Sequence, residues 1–200
     1  MNQQRSPASP HDGTGDQRYA ILKAGALQAS NAFVAGFYIE AIVLTEGILW
    51  CRMASRYQHV THKQADEKAN SVSLGKQACA ADKGPDVAGF AAVTERIDGW
   101  LRNYRNPLAH AAAKLLDKNG SSFATNMARA REGAEIGFRI LVDLETLDMK
   151  SRLTNGWLVE NRDSKVRPPA SHPDAFDSIR SLVQQPPASQ VLAAVRKRRA

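Results

Sequence analysis

Arg105 and His110 frame the run Arg105-Asn106-Pro107-Leu108-Ala109-His110, and between them they supply what chemistry at a phosphate asks of side chains. A guanidinium is a planar, permanently charged fork that fits two phosphate oxygens. An imidazole takes up and releases a proton near neutral pH, so it can serve as base or acid. Pro107 sets the geometry between them. It has no N–H and its ring collides with the carbonyl four residues back, which predicts that a helix arriving at Tyr104 ends near Arg105. Proline is welcome as the first residue of a helix, so Asn106 and Pro107 read as N-cap and first position of a second helix. The open N–H groups and dipole of that helix would seat an anion and keep the His110 imidazole neutral, ready to act as a base. Asn106 would cap, and would orient His110 or touch substrate. Arg102 and Lys114, flanking the pair on either side, are candidate phosphate contacts.

An Arg with a His after four to six intervening residues also occurs at Arg5/His11, Arg52/His59, Arg56/His62 and Arg167/His172. Arg105/His110 differs in having Asn after the Arg, apolar helical patterns on both sides, and a proline at the junction. In these features RNPLAH resembles the motif of the HEPN family, which runs Arg, then Asn, Asp or His, then a few residues and His. The resemblance extends over about residues 17 to 152, with the motif as its specific part. It implies a compact all-α bundle that dimerises. It also implies a metal-independent endoribonuclease of the kind found in toxin–antitoxin, defence and RNA-processing systems, with Arg105 and His110 as the catalytic pair. Many relatives place an acidic residue on the helix beside that pair. Glu40 and Glu46 are the candidates here, with a slight preference for Glu40.

Those glutamates lie in FVAGFYIEAIVLTEGILWCRMASRY, Phe33 to Tyr57, apolar on nearly every face until Arg52. In a soluble protein such a pattern is a helix at the centre of a bundle. Residues 31–51 are long enough to span a bilayer, but each carboxylate near the middle would oppose insertion by roughly 2–3 kcal/mol. No membrane span is expected. Instead the two carboxylates need partners, and Arg105 suits one of them.

Other elements follow from periodicity and punctuation. A short helix is expected from about Asp16 through Ala26, a polar loop from His59 to Val72, and a short helix around Leu74 to Ala81. Gly84-Pro85-Asp86 reads as a turn with Asp86 as cap. It opens a helix in which Val87, Phe90, Val93 or Thr94, Ile97, Trp100, Leu101 and Tyr104 form the apolar face, while Arg96, Asp98, Arg102 and Asn103 face water. The helix carrying His110 should stop by Asn119-Gly120. Ser121 or Ser122 then caps a long helix with Phe123, Met127, Ala130, Ala134, Phe138, Leu141, Leu144 and Leu147 at core spacing.

The expected organisation is a disordered tail over residues 1–15, a bundle of four to five helices over 16–153, and an irregular, basic extension over 154–200. Prolines 168, 169, 173, 186 and 187 cut that extension into pieces, of which PDAFDSIRSLV and SQVLAAVRKRRA suit short amphipathic helices. The chain has 200 residues and a net charge of +7, yet residues 17–151 hold only seventeen Lys/Arg against fourteen Asp/Glu. From Arg152 onward there are nine against four, so the charge is concentrated in the extension. Cys51 and Cys79 form no paired motif, and with no apolar run of signal-peptide type in residues 1–15, free thiols in the cytosol are expected. His59 and His62 likewise lack paired ligands, so neither metal nor cofactor is expected.

The sequence contains no phosphate-binding glycine loop and no carboxylate cluster suited to magnesium. Acid–base chemistry remains. The expectation is cleavage of single-stranded or loop RNA by a homodimer, in which two copies of the corner supply both a base and an acid, with an antitoxin protein as a further partner. The alternative is a non-catalytic helical module that binds nucleotide or protein.

Overall fold

The computed structural model describes residues 14–113, 123–154 and 176–184, and all regular structure within them is helical. The first helix, α1, runs from Thr14 to Val34. It stops because Gly36 takes a positive φ of 86°, which costs a residue without Cβ nothing. The Phe37 N–H then reaches back to the Ala32 carbonyl at 2.8 Å and the Gly36 N–H to that of Phe33 at 3.1 Å. These two bonds satisfy carbonyls that the helix end would leave open. The apolar run expected to be one helix from Phe33 to Tyr57 is therefore two. The second, α2, spans Tyr38–Thr61.

Helix α2 packs against α1, α3 (Ser71–Ala81) and α6 (Phe123–Thr154). Ala41, Ile42, Thr45, Ile48, Leu49 and Met53 form its buried face. It is not enclosed on every side, as the sequence reading has it: Glu40, Val43, Gly47 and Cys51 form an exposed stripe. At its C-terminal half two arginines enter the interior with partners. Arg52 pairs with Glu145 of α6, and Arg56 pairs with Asp82 just past α3. Arg56 also donates to Ser151 Oγ at 3.2 Å and lies over the Phe90 ring at 4.0 Å. A charge this far from water persists only with such partners.

Helix α3 begins three residues earlier than expected because the Asn70 side chain accepts from the Ser73 N–H at 2.8 Å. Helix α4, Val87–Trp100, starts after Asp86, whose side chain makes no capping hydrogen bond, contrary to its expected role. Phe90, Val93, Thr94, Ile97 and Trp100 are buried on the expected face. Beyond Trp100 come a π-helical turn, Leu101–Arg105, and α5, Asn106–Ala113. Helix α6 closes the bundle with Ala130, Ala134, Phe138, Leu141 and Leu144 inside. Helix α7, Asp177–Gln184, rests on α1 and α6, so the core takes in a piece of the expected extension. No described helix is long and apolar enough to cross a membrane.

The expected helix stop at Asn119-Gly120, the Ser121 or Ser122 cap, Lys114, the tail before Thr14 and the terminal RKRR lie outside the described residues.

Candidate functional site

The site begins with Trp100, which α4 delivers onto α6. Its indole N–H donates to the Gly133 carbonyl at 2.7 Å, and the side chain is 2% exposed. This close approach needs glycines on α6. A Cβ at Gly137 would stand 2.7 Å from Trp100 Cζ2, and one at Gly133 would stand 3.0 Å from Tyr104. Two aromatics one turn apart thus lie on two glycines one turn apart. Burial first, and then the Glu132 carboxylate beside it, push the Tyr104 phenol above its ordinary value.

Pro107 does not break the chain here, and the expected N-cap at Asn106 is not formed. Asn106 has helical φ and ψ of −66° and −48°, and its N–H bonds to the Leu101 carbonyl, five residues back. The wider π-helical ring accommodates the proline without ending the rod. An ordinary helix would direct the missing Pro107 N–H to the Asn103 carbonyl. In its place Arg129 of α6 donates to that carbonyl at 2.6 Å. The helix-end anion seat expected at Asn106 is lost, since one N–H there is used and the next does not exist. Positive charge at the junction comes from Arg105 itself.

The Arg105 Nε–H donates to Glu46 Oε2 at 2.5 Å, and Nη1 donates to Asn106 Oδ1 at 3.2 Å. Glu46, not the slightly preferred Glu40, is thus the carboxylate beside the arginine. Six residues separate the two glutamates, about 240° round a helix, so they lie on different faces. Glu40 sits exposed in the first turn of α2, where the helix dipole favours it. The Arg105 and Glu46 side chains are 34% and 25% exposed, open enough to meet a ligand. Arg102 lies on the outer face, paired with Asp98 one turn earlier. His110 belongs to α5, four residues after Asn106 on the same continuous rod, while its side chain lies outside the described residues.

The arrangement holds a guanidinium at a fixed place, between a carboxylate on α2 and an amide on its own helix, partly open to water. Such a group binds and neutralises phosphate. Desolvation, the first cause in each case, pushes the thiols of Cys51 and Cys79 above their ordinary value. Among the described residues no cluster of His, Cys, Asp and Glu suits a metal ion.

Sequence reasoning missed the Arg129 clamp, the π-helical turn and the Arg52–Glu145 and Arg56–Asp82 pairs. The sequence does carry a signal for the aromatic seat, since Gly133 and Gly137 repeat the four-residue spacing of Trp100 and Tyr104, but none for the clamp or the turn. No family model, curated protein or solved structure matches the chain.

Proposed function

We propose that this protein is a metal-independent endoribonuclease of the HEPN type, acting on single-stranded or loop RNA. The observation that carries this reading is the Arg105 guanidinium, held by Glu46 and Asn106 at a π-helical turn on the rod that also bears His110. Single π-helical turns are frequent at functional sites, where they redirect side chains. In the reaction His110 takes the proton of the ribose 2′-hydroxyl, or returns one to the departing 5′-oxygen. Attack of the 2′-oxygen on phosphorus breaks the bond to the 5′-oxygen, leaving a 2′,3′-cyclic phosphate on one fragment. Arg105 offsets the charge that builds on the phosphoryl oxygens during this exchange. One imidazole cannot stand on both sides of a phosphate, so a two-fold dimer that brings two such corners together completes the acid–base pair. In this reading the enzyme works in the cytosol as a toxin or defence component, held in check by an antitoxin protein.

RNA cleavage measured with EDTA present tests the assignment. Arg105→Ala and His110→Ala are each expected to lower the rate by about 10²- to 10⁴-fold at unchanged helical content, the range for loss of an acid–base or charge-stabilising group. Equal cleavage by the wild type and both variants overturns it.

A further inference from the structure

Between the first turns of α3 and the π-helical turn lies an open trench of about 410 Å³, lined by Asn106, the chain neighbour of Arg105, and not by Arg105 itself. Its volume falls within the range of roughly 300–1,000 Å³ common to small-ligand sites. Apolar, polar and cationic groups line it, together with the Asp98 carboxylate that pairs with Arg102. Val72 and Leu101 edge its floor, but each is only 8% exposed, so they offer the edge of a base a narrow apolar contact. Ser73, Gln77 and Asn106 bring a hydroxyl and two amides; Gln77 donates to Ser73 Oγ at 3.1 Å, which leaves its carbonyl oxygen and the Ser73 hydroxyl proton to meet a base edge. Lys76 and Arg102 supply charge for phosphate.

Two details connect this trench to the arginine site. Asn106 belongs to both: its Oδ1 accepts from Arg105, which leaves its NH₂ to donate towards the trench. Among the described residues Lys76 pairs with the exposed Glu95 at 3.6 Å, and Arg102, itself exposed, pairs with the half-buried Asp98 one turn away. The exposed Lys76–Glu95 pair is weak, which leaves that ammonium open to a stronger anion. The space and chemistry suit one unstacked nucleotide, which excludes a duplex, whose bases stay stacked and paired.

We infer that this trench is the base-reading subsite of the enzyme, taking the nucleotide next to the scissile phosphate of single-stranded RNA and setting the cleavage sequence. The inference rests on the ribonuclease reading, but its test does not. Fluorescein-labelled 2′-O-methyl oligonucleotides, which lack the attacking hydroxyl, report binding by anisotropy in the full-length protein without cleavage. Four such probes that differ at one position are compared. The wild type is expected to favour one base by about tenfold, the discrimination of one good base-edge hydrogen-bonding group. Gln77→Ala should flatten that preference. Ser73→Tyr, which fills the trench from its rim, and Lys76→Glu, on an exposed side chain, should each weaken binding to all four probes by about tenfold or more. Helical content confirms that each variant is folded, and Lys76→Glu carries the test if Ser73→Tyr does not fold. Trench variants that bind all four probes as the wild type does overturn the inference, whatever the cleavage assay gives. Trench-dependent binding by a protein that cleaves no RNA supports the subsite as an RNA-binding site and overturns the ribonuclease reading alone.

Discussion

Glu46 and Glu145 each hold an arginine, and burial separates what the two carboxylates do. Glu145 is 3% exposed and faces Arg52 across the α2–α6 contact, whereas Glu46 and Arg105 stand at the surface of their junction. Removing one side of a buried pair costs about 3–5 kcal/mol, while exposed pairs contribute about 0–1 kcal/mol. Glu145→Ala is therefore expected to lower stability by about 3–5 kcal/mol in urea unfolding. Glu46→Ala should change it by no more than about 1 kcal/mol and, on the proposed ribonuclease function, reduce RNA cleavage about tenfold or more, because Arg105 is no longer held in place. Glu46→Gln keeps an oxygen that can accept from the Arg105 Nε–H and should recover part of the rate. A Glu46→Ala protein that loses stability as Glu145→Ala does, with cleavage falling only in proportion to unfolding, would make Glu46 a structural residue. Choosing Glu46 over Glu40 was beyond the sequence, because both glutamates have apolar neighbours on a helix that reads as apolar nearly all round. What decides it is the face of α2 that meets the π-helical turn, a contact between residues 59 positions apart.

The element that sets this contact is the joined rod of α4, the π-helical turn and α5, and its legibility was uneven. The buried face of α4 could be read in full, since Phe90, Val93, Ile97 and Trp100 recur at helical spacing and nothing interrupts them. The junction could not. Asn-Pro at the start of a helix and Asn-Pro inside a widened turn share one local sequence. The choice between them comes from α6, through the Arg129 bond to the Asn103 carbonyl and the seat that Gly133 and Gly137 leave for the aromatics. Gly36 posed a similar ambiguity, since a lone glycine in an apolar run can be a packing residue or a helix end. Substituting two helical glycines separates propensity from packing. A Cβ at Gly99 meets nothing within 4 Å, so Gly99→Ala should stabilise by about 0.4–1 kcal/mol through the restricted unfolded chain. A Cβ at Gly137 would press on the Trp100 ring, so Gly137→Ala should cost about 1–3 kcal/mol. On the proposed ribonuclease function it should also depress cleavage at temperatures where the protein remains folded, because Trp100 leads directly into the turn that carries Arg105. Thermal and urea unfolding of the two variants checks the opposite signs, and equal shifts would refute the packing account.

At the scale of the molecule, α7 shows that the bundle does not end where its sequence pattern does. The segment was readable as a short amphipathic helix, but eight residues are too few to hold a helix in water without tertiary contacts. Its order comes from docking. Ile179 is wholly buried, Phe176 is 2% exposed, and the Arg52 guanidinium stands 5.8 Å from the Phe176 ring, so α7 covers the buried ion pair between α2 and α6. That contact was hidden from the sequence because α6 and α7 are joined through a proline-rich stretch with no periodicity to follow. Truncating Ile179 to Ala should cost about 2–5 kcal/mol, the range for a fully buried aliphatic side chain. A chain ending at residue 154 gives up that burial and that of Phe176 together, and uncovers the apolar sides of α1 and α6 as well. Its urea midpoint should fall at least as far as that of Ile179→Ala in the full chain. Matching midpoints for the shortened, substituted and wild-type proteins would place α7 outside the cooperative core and return the boundary to residue 153.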